Sequence, residues 1–78
     1  MSFDYDPKAD VGYILLRPGV PRAFGQNLDD SRYIDFGEDN QPIGIELLGV
    51  SKGVDTTGLP MQHAVEKLLA EHHIQVFV

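Results

Sequence analysis

Three aspartates near the start of the chain have side chains that could bind a cation. Asp4, Asp6 and Asp10 surround Pro7, and carboxylate oxygens are the ligands that Ca²⁺ and Mg²⁺ prefer. Aspartate is also common in turns, because its side chain accepts hydrogen bonds from the backbone two residues further on. Since Asp6-Pro7 is itself a turn sequence, a turn with a solvated acidic surface accounts for the three residues, and we predict no metal site here.

A second group of candidate ligands lies near the end of the chain. It consists of three histidines and one glutamate, His63, Glu66, His72 and His73, which could bind a transition metal or transfer protons. His63 and Glu66 are three residues apart and share one face of a helix. His72 and His73 are adjacent, so they point about 100° apart on a helix, and the chain lacks the His-Glu-x-x-His spacing of zinc proteases. We therefore predict a polar helix face with histidines at its end, and no cofactor.

Glu46 is the acid whose position in a strand is most unusual. It alternates with aliphatic neighbours in "IGIELL", so it lies on the face opposite to theirs. If a partner covers that face, Glu46 must form an ion pair or change its pKa; a solvated glutamate on an antiparallel sheet is the simpler interpretation. The hydroxyls of Ser51, Thr56 and Thr57 lie in one loop with no Gly-x-Ser-x-Gly motif and no obvious base, so no catalytic residue is predicted.

The stretch 35–46, "DFGEDNQPIGIE", contains the Asp-Phe-Gly of protein kinases and has the terminal acids of a calcium-binding EF-hand loop. The kinase motif acts only with several other kinase segments, for which a chain of 78 residues has no room. An EF-hand loop needs glycine at its sixth position and a helix on each side, whereas this chain has Asn40 between two alternating strands. We predict a β-hairpin in which Asp39 and Asn40 allow the left-handed conformation of a tight turn.

Alternation of apolar residues predicts four or five strands in the first 50 residues. The segments are "SFDY", "VGYILLR", the weaker "RAFGQNL" as an edge strand, "RYIDF" and "IGIELLGV". In "VGYILLR" both faces are largely apolar, which is typical of a central strand covered on both sides. The last of these segments places Ile43, Ile45 and Leu47 on its buried side.

After residue 60 the period changes to that of a helix. The apolar stripe consists of Met61, Ala64, Val65, Leu68 and Leu69. Pro60 suits the first helical turn, and Thr57 or Gly58 suits the N-cap. "IQVFV" alternates again and predicts a last strand with Ile74, Val76 and Val78 on one side. Residues 1–78 therefore predict a single α+β domain, a small antiparallel sheet packed by one C-terminal amphipathic helix, with a short terminal strand.

The charge balance restricts the partners of the chain. Twelve acidic and six basic residues give a net charge of −6, and the basic residues form no run. Nucleic-acid binding by this chain alone is therefore not expected, and a basic protein partner suits the charge better. The chain has no cysteine, no apolar run of the roughly 20 residues that a membrane span needs and no signal-peptide pattern, so we expect a cytoplasmic protein.

Three segments together resemble a known family. "YDPKAD", "YILLR" and "YIDFGEDNQPIGIELLGVSK" are similar in content and order to the DUF2283 family, small bacterial and archaeal proteins of unknown function. The resemblance covers about residues 3–52. Lys8 stands where an acid is usual, Gly12 where a bulkier residue is usual, and the chain from Pro60 onward exceeds the short family core. The family has no established activity, and some such proteins are suspected of pairing with toxin-like neighbours.

Two hypotheses about function follow. The first is a non-enzymatic interaction module that self-associates as a homodimer, because one helix can cover only one face of a sheet whose strands are apolar on both. The second is a small-molecule or metal-binding enzyme with a site at a subunit interface, which would use Glu46, His63 or the aspartates.

Overall fold

The computed structural model describes residues 1–77, and the first 48 of them form one antiparallel sheet. Its strands are β1 (Ser2–Asp6), β2 (Val11–Leu15), β3 (Phe24–Asn27), β4 (Arg32–Phe36) and β5 (Pro42–Leu48). Their spatial order is β1-β2-β5-β4-β3, so β5 is central and β1 and β3 are the edges. The predicted sheet is confirmed, including the weak third segment as an edge strand.

The rest of the described chain lies against one face of this sheet. It contains a 3-10 turn (Val50–Lys52), β6 (Val54–Asp55), α1 (Gln62–Glu71) and β7 (Val76–Phe77). β6 and β7 pair in parallel as a separate two-stranded sheet. The α+β class with one C-terminal helix and a short terminal strand is confirmed, although the strand is shorter than predicted and pairs with a strand that the alternation did not indicate. Val78, part of the predicted strand, lies outside the described residues.

Alternation along the strands produces one apolar face, which we call the inner face. Ile14, Ile45 and Ile34 lie directly opposite one another on β2, β5 and β4, and the first two have no exposed surface. Val65 and Leu69 of α1 pack against this face. The remaining members of the core are aliphatic residues that precede the helix in sequence, Leu16, Leu47, Val50, Val54 and Leu59. The hydrophobic core thus lies between the inner face and residues 50–76.

The helix begins later than predicted. Met61, not Thr57 or Gly58, is the N-cap residue, and it has a left-handed φ of 52° and no side-chain cap hydrogen bond. Its side chain is 57% exposed, so its place in the predicted apolar stripe is wrong, and Pro60 lies before the helix. The physical reason is Leu59, whose burial in the core requires the chain to turn before the helix can start.

The predicted hairpin joins β4 and β5. The Gly37 N–H donates to the Gln41 carbonyl at 3.0 Å, and the Asn40 N–H donates to the Gly37 carbonyl at 3.1 Å. Asn40 has a left-handed φ of 62°, and Asp39 accepts the Gln41 N–H at 3.1 Å. The interpretation of this stretch as a hairpin turn is therefore confirmed.

Helix α1 has ten residues. No helix within residues 1–77 combines the length and the hydropathy that crossing a membrane requires.

Candidate interaction surfaces

The two faces of the five-stranded sheet have different surroundings. Helix α1 and the β6–β7 pair lie over the inner face, because Val65, Leu69 and Val54 belong to its core. We call the opposite side the outer face. Within residues 1–77 no helix or strand packs on it, and its side chains are half-buried or exposed.

A row of acidic and aromatic side chains crosses the outer face. Tyr13 of β2 and Tyr33 of β4 both lie directly opposite Glu46 of β5, and Asp4 of β1 lies opposite Tyr13. Directly opposite residues have Cβ atoms about 5 Å apart, so Glu46 lies between the two tyrosines. Glu46 is exposed, and it forms no salt bridge among residues 1–77.

The two tyrosine rings lie over glycines of neighbouring strands. A Cβ atom built on Gly44 would be 1.8 Å from the hydroxyl oxygen of Tyr13, and one on Gly25 would be 2.0 Å from that of Tyr33. Only glycine at these two positions lets the rings lie along the sheet. The hydroxyl end of the Tyr13 ring therefore lies over β5, the strand that carries Glu46, whereas that of Tyr33 lies over β3, on the other side of β4.

A polar network holds these rings in place. Tyr13 donates its hydroxyl proton to Asp35 Oδ2 at 2.9 Å, and Arg22 reaches both Asp35 Oδ1 (2.8 Å) and the Tyr33 hydroxyl (2.9 Å). Burial, followed by the hydrogen bond to Asp35, raises the pKa of Tyr13 to about 12. Tyr13 therefore stays protonated near neutral pH and serves as a fixed hydrogen-bond donor. The sequence did not indicate this network, because Arg22 belongs to the segment "RAFGQNL" that was predicted as a strand, whereas β3 begins only at Phe24 and Arg22 lies in the loop before it.

The two edge strands differ in charge. β1 carries Asp4 and Asp6, whereas β3 reads Phe-Gly-Gln-Asn and carries no charge. Phe24 is 40% exposed and stacks on Phe36 with ring centroids 4.9 Å apart. Leu28, directly after β3, is 41% exposed.

The three N-terminal aspartates do not converge on one point. Asp4 lies on the outer face, and Asp6 Oδ1 accepts the Lys8 N–H at 3.0 Å within the turn. Asp10 accepts the Ser51 N–H at 2.8 Å, the Ser51 hydroxyl at 2.6 Å and the Tyr5 hydroxyl at 2.7 Å. The hydrogen bonds from Ser51 and Tyr5 lower the pKa of Asp10. Asp10 thus fastens the first hairpin to the turn after β5.

The candidate ligands of the helix are also separated. Glu66 accepts the Thr56 hydroxyl at 2.5 Å, which lowers its pKa, and His63 Nδ1 lies 3.5 Å from its other oxygen. His72 packs edge-on against Phe3 with centroids 5.2 Å apart, and His73 follows it in a left-handed conformation. No group of three or more His, Cys, Asp or Glu residues within 1–77 is arranged to hold a metal ion.

A cleft of about 490 Å³ lies at the end of the sheet, between Asp29, Lys52 and Asp55. Its central cation, Arg32, forms a salt bridge with Asp29 at 2.8 Å. Arg32 also donates to the carbonyls of Asp55 (2.9 Å) and Thr57 (2.6 Å). These contacts occupy the guanidinium and tie β4 to the loop after β6.

Comparison with known proteins gives one match. The family model described as "Protein of unknown function (DUF2283)" matches residues 2–51, which include all five strands of the antiparallel sheet, Asp10 and Ser51. No curated protein and no solved structure matches.

Proposed function

The chain belongs to the DUF2283 family of proteins of unknown function, and we propose that it is a non-enzymatic protein-interaction module that pairs with a second copy of itself. The observation that carries this proposal is the uncharged and exposed edge strand β3. Most edge strands carry lysine, proline or inward-pointing charges that prevent pairing with another chain, and residues 24–27 carry none of these.

Charge favours β3 over the other edge as the site of pairing. Each chain has a net charge of −6, so two copies repel one another at any acidic surface. Antiparallel pairing of β1 with its own copy would bring Asp4 and Asp6 of two chains together. Pairing of β3 with its own copy meets no such repulsion and continues the sheet across a two-fold axis.

Apolar side chains add to the contact between the two β3 strands, and the small area of this contact predicts a weak dimer. Phe24, the first residue of β3, and Leu28, directly after the strand, are both exposed by about two-fifths. A four-residue strand spans only about 13 Å, so the buried area lies at the small end for protein interfaces. We therefore expect a reversible dimer with a dissociation constant in the micromolar range.

Support for a non-enzymatic role comes from the separation of the titratable side chains. Glu46 lies on the outer face, His63 on the helix over the inner face, and Asp10 is held by Ser51 and Tyr5. The enzyme hypothesis needs a second copy to complete a site with one of these residues. Strand β3 would contribute Gln26 and Asn27 as its polar side chains, and neither is a general acid or base.

Sedimentation velocity over the micromolar to millimolar range tests the proposal. The wild type should show a reversible shift toward twice the 8.7 kDa mass of one chain. Gln26→Lys places like charges near the two-fold axis and should give a monomer. Gln41→Lys, the same substitution in the exposed hairpin turn, is the matched control and should still dimerise.

A wild type that remains monomeric throughout this range contradicts self-association. Equal effects of the two lysine variants contradict pairing through β3. The narrower form of the proposal, in which the partner is a toxin-like protein, predicts that the product of a neighbouring gene co-purifies with the chain in stoichiometric amount.

A further inference from the structure

We propose that the outer face binds a basic segment of a partner protein, with one lysine or arginine side chain seated on Glu46 beside the ring of Tyr13. This site is on the flat side of the sheet and does not include the edge strand β3. It therefore stands or fails separately from the homodimer proposed above.

The geometry of the tyrosines suits a cation. Both rings lie against glycine backbone and are fixed by Asp35 and Arg22 through their hydroxyls. The Tyr13 ring lies over the strand of Glu46 and is half-buried, and a lysine or arginine over a tyrosine ring is attracted to its negative potential. Because the rings are already held in place, a ligand loses little free energy in ordering them.

The carboxylates of this face are available for a cation. Among residues 1–77, the four salt bridges of the chain use Asp29, Asp35, Asp39 and Glu66. Glu46, Asp4 and Asp6 take part in none of them, and all three lie on the outer face. Arg22, which reaches this face from the loop before β3, is already paired with Asp35, so it does not neutralise Glu46 or Asp4.

An apolar strip beside this row suits the aliphatic part of a basic side chain. Val11 and Leu48 lie opposite each other in the next row of the outer face, and Leu48 is 46% exposed. Lysine and arginine pack their methylene groups along such surface while the charged end reaches a carboxylate. The face thus has a carboxylate and a tyrosine in one row and aliphatic side chains in the next, which suits the charged end and the methylene groups of a long cationic side chain.

A second copy of the chain is a poor occupant of this face. A two-fold axis through it would bring Glu46 and Asp4 against the same residues of the other copy, and like charges in contact disfavour association. The three arginines are engaged with acidic residues of their own chain, and two of the three lysines, Lys52 and Lys67, belong to the elements that cover the inner face. Complementary charge therefore points to a basic protein segment as the occupant.

The test uses a blocked octa-arginine peptide and the full chain, with isothermal titration calorimetry for affinity and ¹⁵N NMR for location. Shifts should concentrate on the amides of β2, β4 and β5. Glu46→Gln should weaken binding about three- to fivefold, the size expected for one partly exposed cation contact. Glu71→Gln, an equal charge change on the exposed end of α1, should change it by less than about 1.5-fold through screened long-range charge alone.

Other outcomes overturn the inference. Equal losses for Glu46→Gln and Glu71→Gln would mean that the peptide responds only to net charge. Shifts centred on the cleft beside Asp29 and Asp55 would place the basic segment elsewhere. A dimer that survives Gln26→Lys and is strengthened by Glu46→Gln would show that the outer face is occupied by a second copy.

Discussion

Substitution of Gly44 by alanine offers the sharpest test of the outer face. The new Cβ would lie 1.8 Å from the Tyr13 hydroxyl oxygen and 2.4 Å from the ring carbon that bears it. Ordinary contacts begin near 3.4 Å, so the ring must move by about 1.6 Å to relieve the overlap. Such a movement breaks the hydrogen bond from Tyr13 to Asp35.

The magnitude follows from these two effects. Displacing a packed side chain costs about 1–3 kcal/mol, and a hydrogen bond to a charged group contributes about 1.5–3 kcal/mol. Replacing glycine in a strand recovers about 0.5–1 kcal/mol. We therefore expect Gly44→Ala to lower the free energy of unfolding by about 1.5–5.5 kcal/mol, and the lower bound alone is a fall of about 6–12 °C in Tm for a domain of this size.

The same change should be harmless once the ring is gone. In a Tyr13→Ala background, the Gly44→Ala substitution meets no ring, so we expect a coupling of at least about 2.5 kcal/mol in the double-mutant cycle. Gly12→Ala is the control, because its Cβ would instead meet the Phe3 ring at 2.5 Å, and its effect should add to that of Tyr13→Ala. Urea unfolding, monitored by circular dichroism, measures the free energy of unfolding of the wild type, the two single variants and the double variant. A coupling below about 0.3 kcal/mol would refute the placement of Tyr13 over Gly44.

Three further predictions concern titration and packing. Because hydrogen bonds from Ser51 and Tyr5 hold the pKa of Asp10 below its ordinary value, its contribution to stability is complete above that ordinary value and is lost as the pH falls through the lowered pKa. Tm should therefore drop in acid, less steeply for Asp10→Asn; an equal slope would contradict this role. For Tyr13 the pH dependence of stability has the opposite sign, because burial and the hydrogen bond to Asp35 raise its pKa from 10.0 to about 12. Its contribution to stability is complete below pH 10 and is lost as the pH rises toward 12. In an absorbance titration, Tyr13→Phe should remove the last tyrosine step, and an unchanged last step would count against the Asp35 contact. Leu69→Ala, fully buried, should lower the free energy of unfolding by about 2–5 kcal/mol. Leu48→Ala on the outer face should change it by less than about 0.5 kcal/mol, and similar losses for both would place Leu48 in a core.

The strands were predictable because their signal is local and strong. Ile43, Ile45 and Leu47 alternate with smaller or polar residues, and burial of one face fixes which way each side chain points. All three are buried in the structure. The hairpin turn was predictable for the same reason, since Asn40 tolerates a left-handed φ that most residues avoid.

The start of the helix and the pairing of the last strand depend on contacts distant in sequence. Leu59 is buried among residues of β2 and β5, and no local pattern indicates that this burial overrides the capping preference of Thr57 or Gly58. β6 has two residues, too few for alternation to appear. Its pairing with β7 is supported by Thr56, whose buried side chain lies 3.1 Å from the Phe77 carbonyl.

The segments that resemble the family have a structural use that composition could not reveal. Tyr5, Asp10 and Ser51 come from the first and last parts of the resemblance and meet in one hydrogen-bonded cluster. Asp10 has a left-handed φ of 57°, and its carbonyl accepts the Gly49 N–H at 2.9 Å. Asp10, one of the three aspartates considered as metal ligands, therefore holds the β1–β2 turn against the turn that follows β5.

On the outer face, side chains of the sheet cover part of its own apolar surface. Val11, Tyr13 and Leu15 make β2 apolar on both sides, which predicts a second covering layer. In the structure they are half-buried, and Tyr13 is held across the sheet by Asp35 and Arg22. Side chains of the sheet and its loop thus provide part of the cover themselves. What remains exposed is the acidic and aromatic row around Glu46, so a partner there would bind through complementary charge more than through hydrophobic burial.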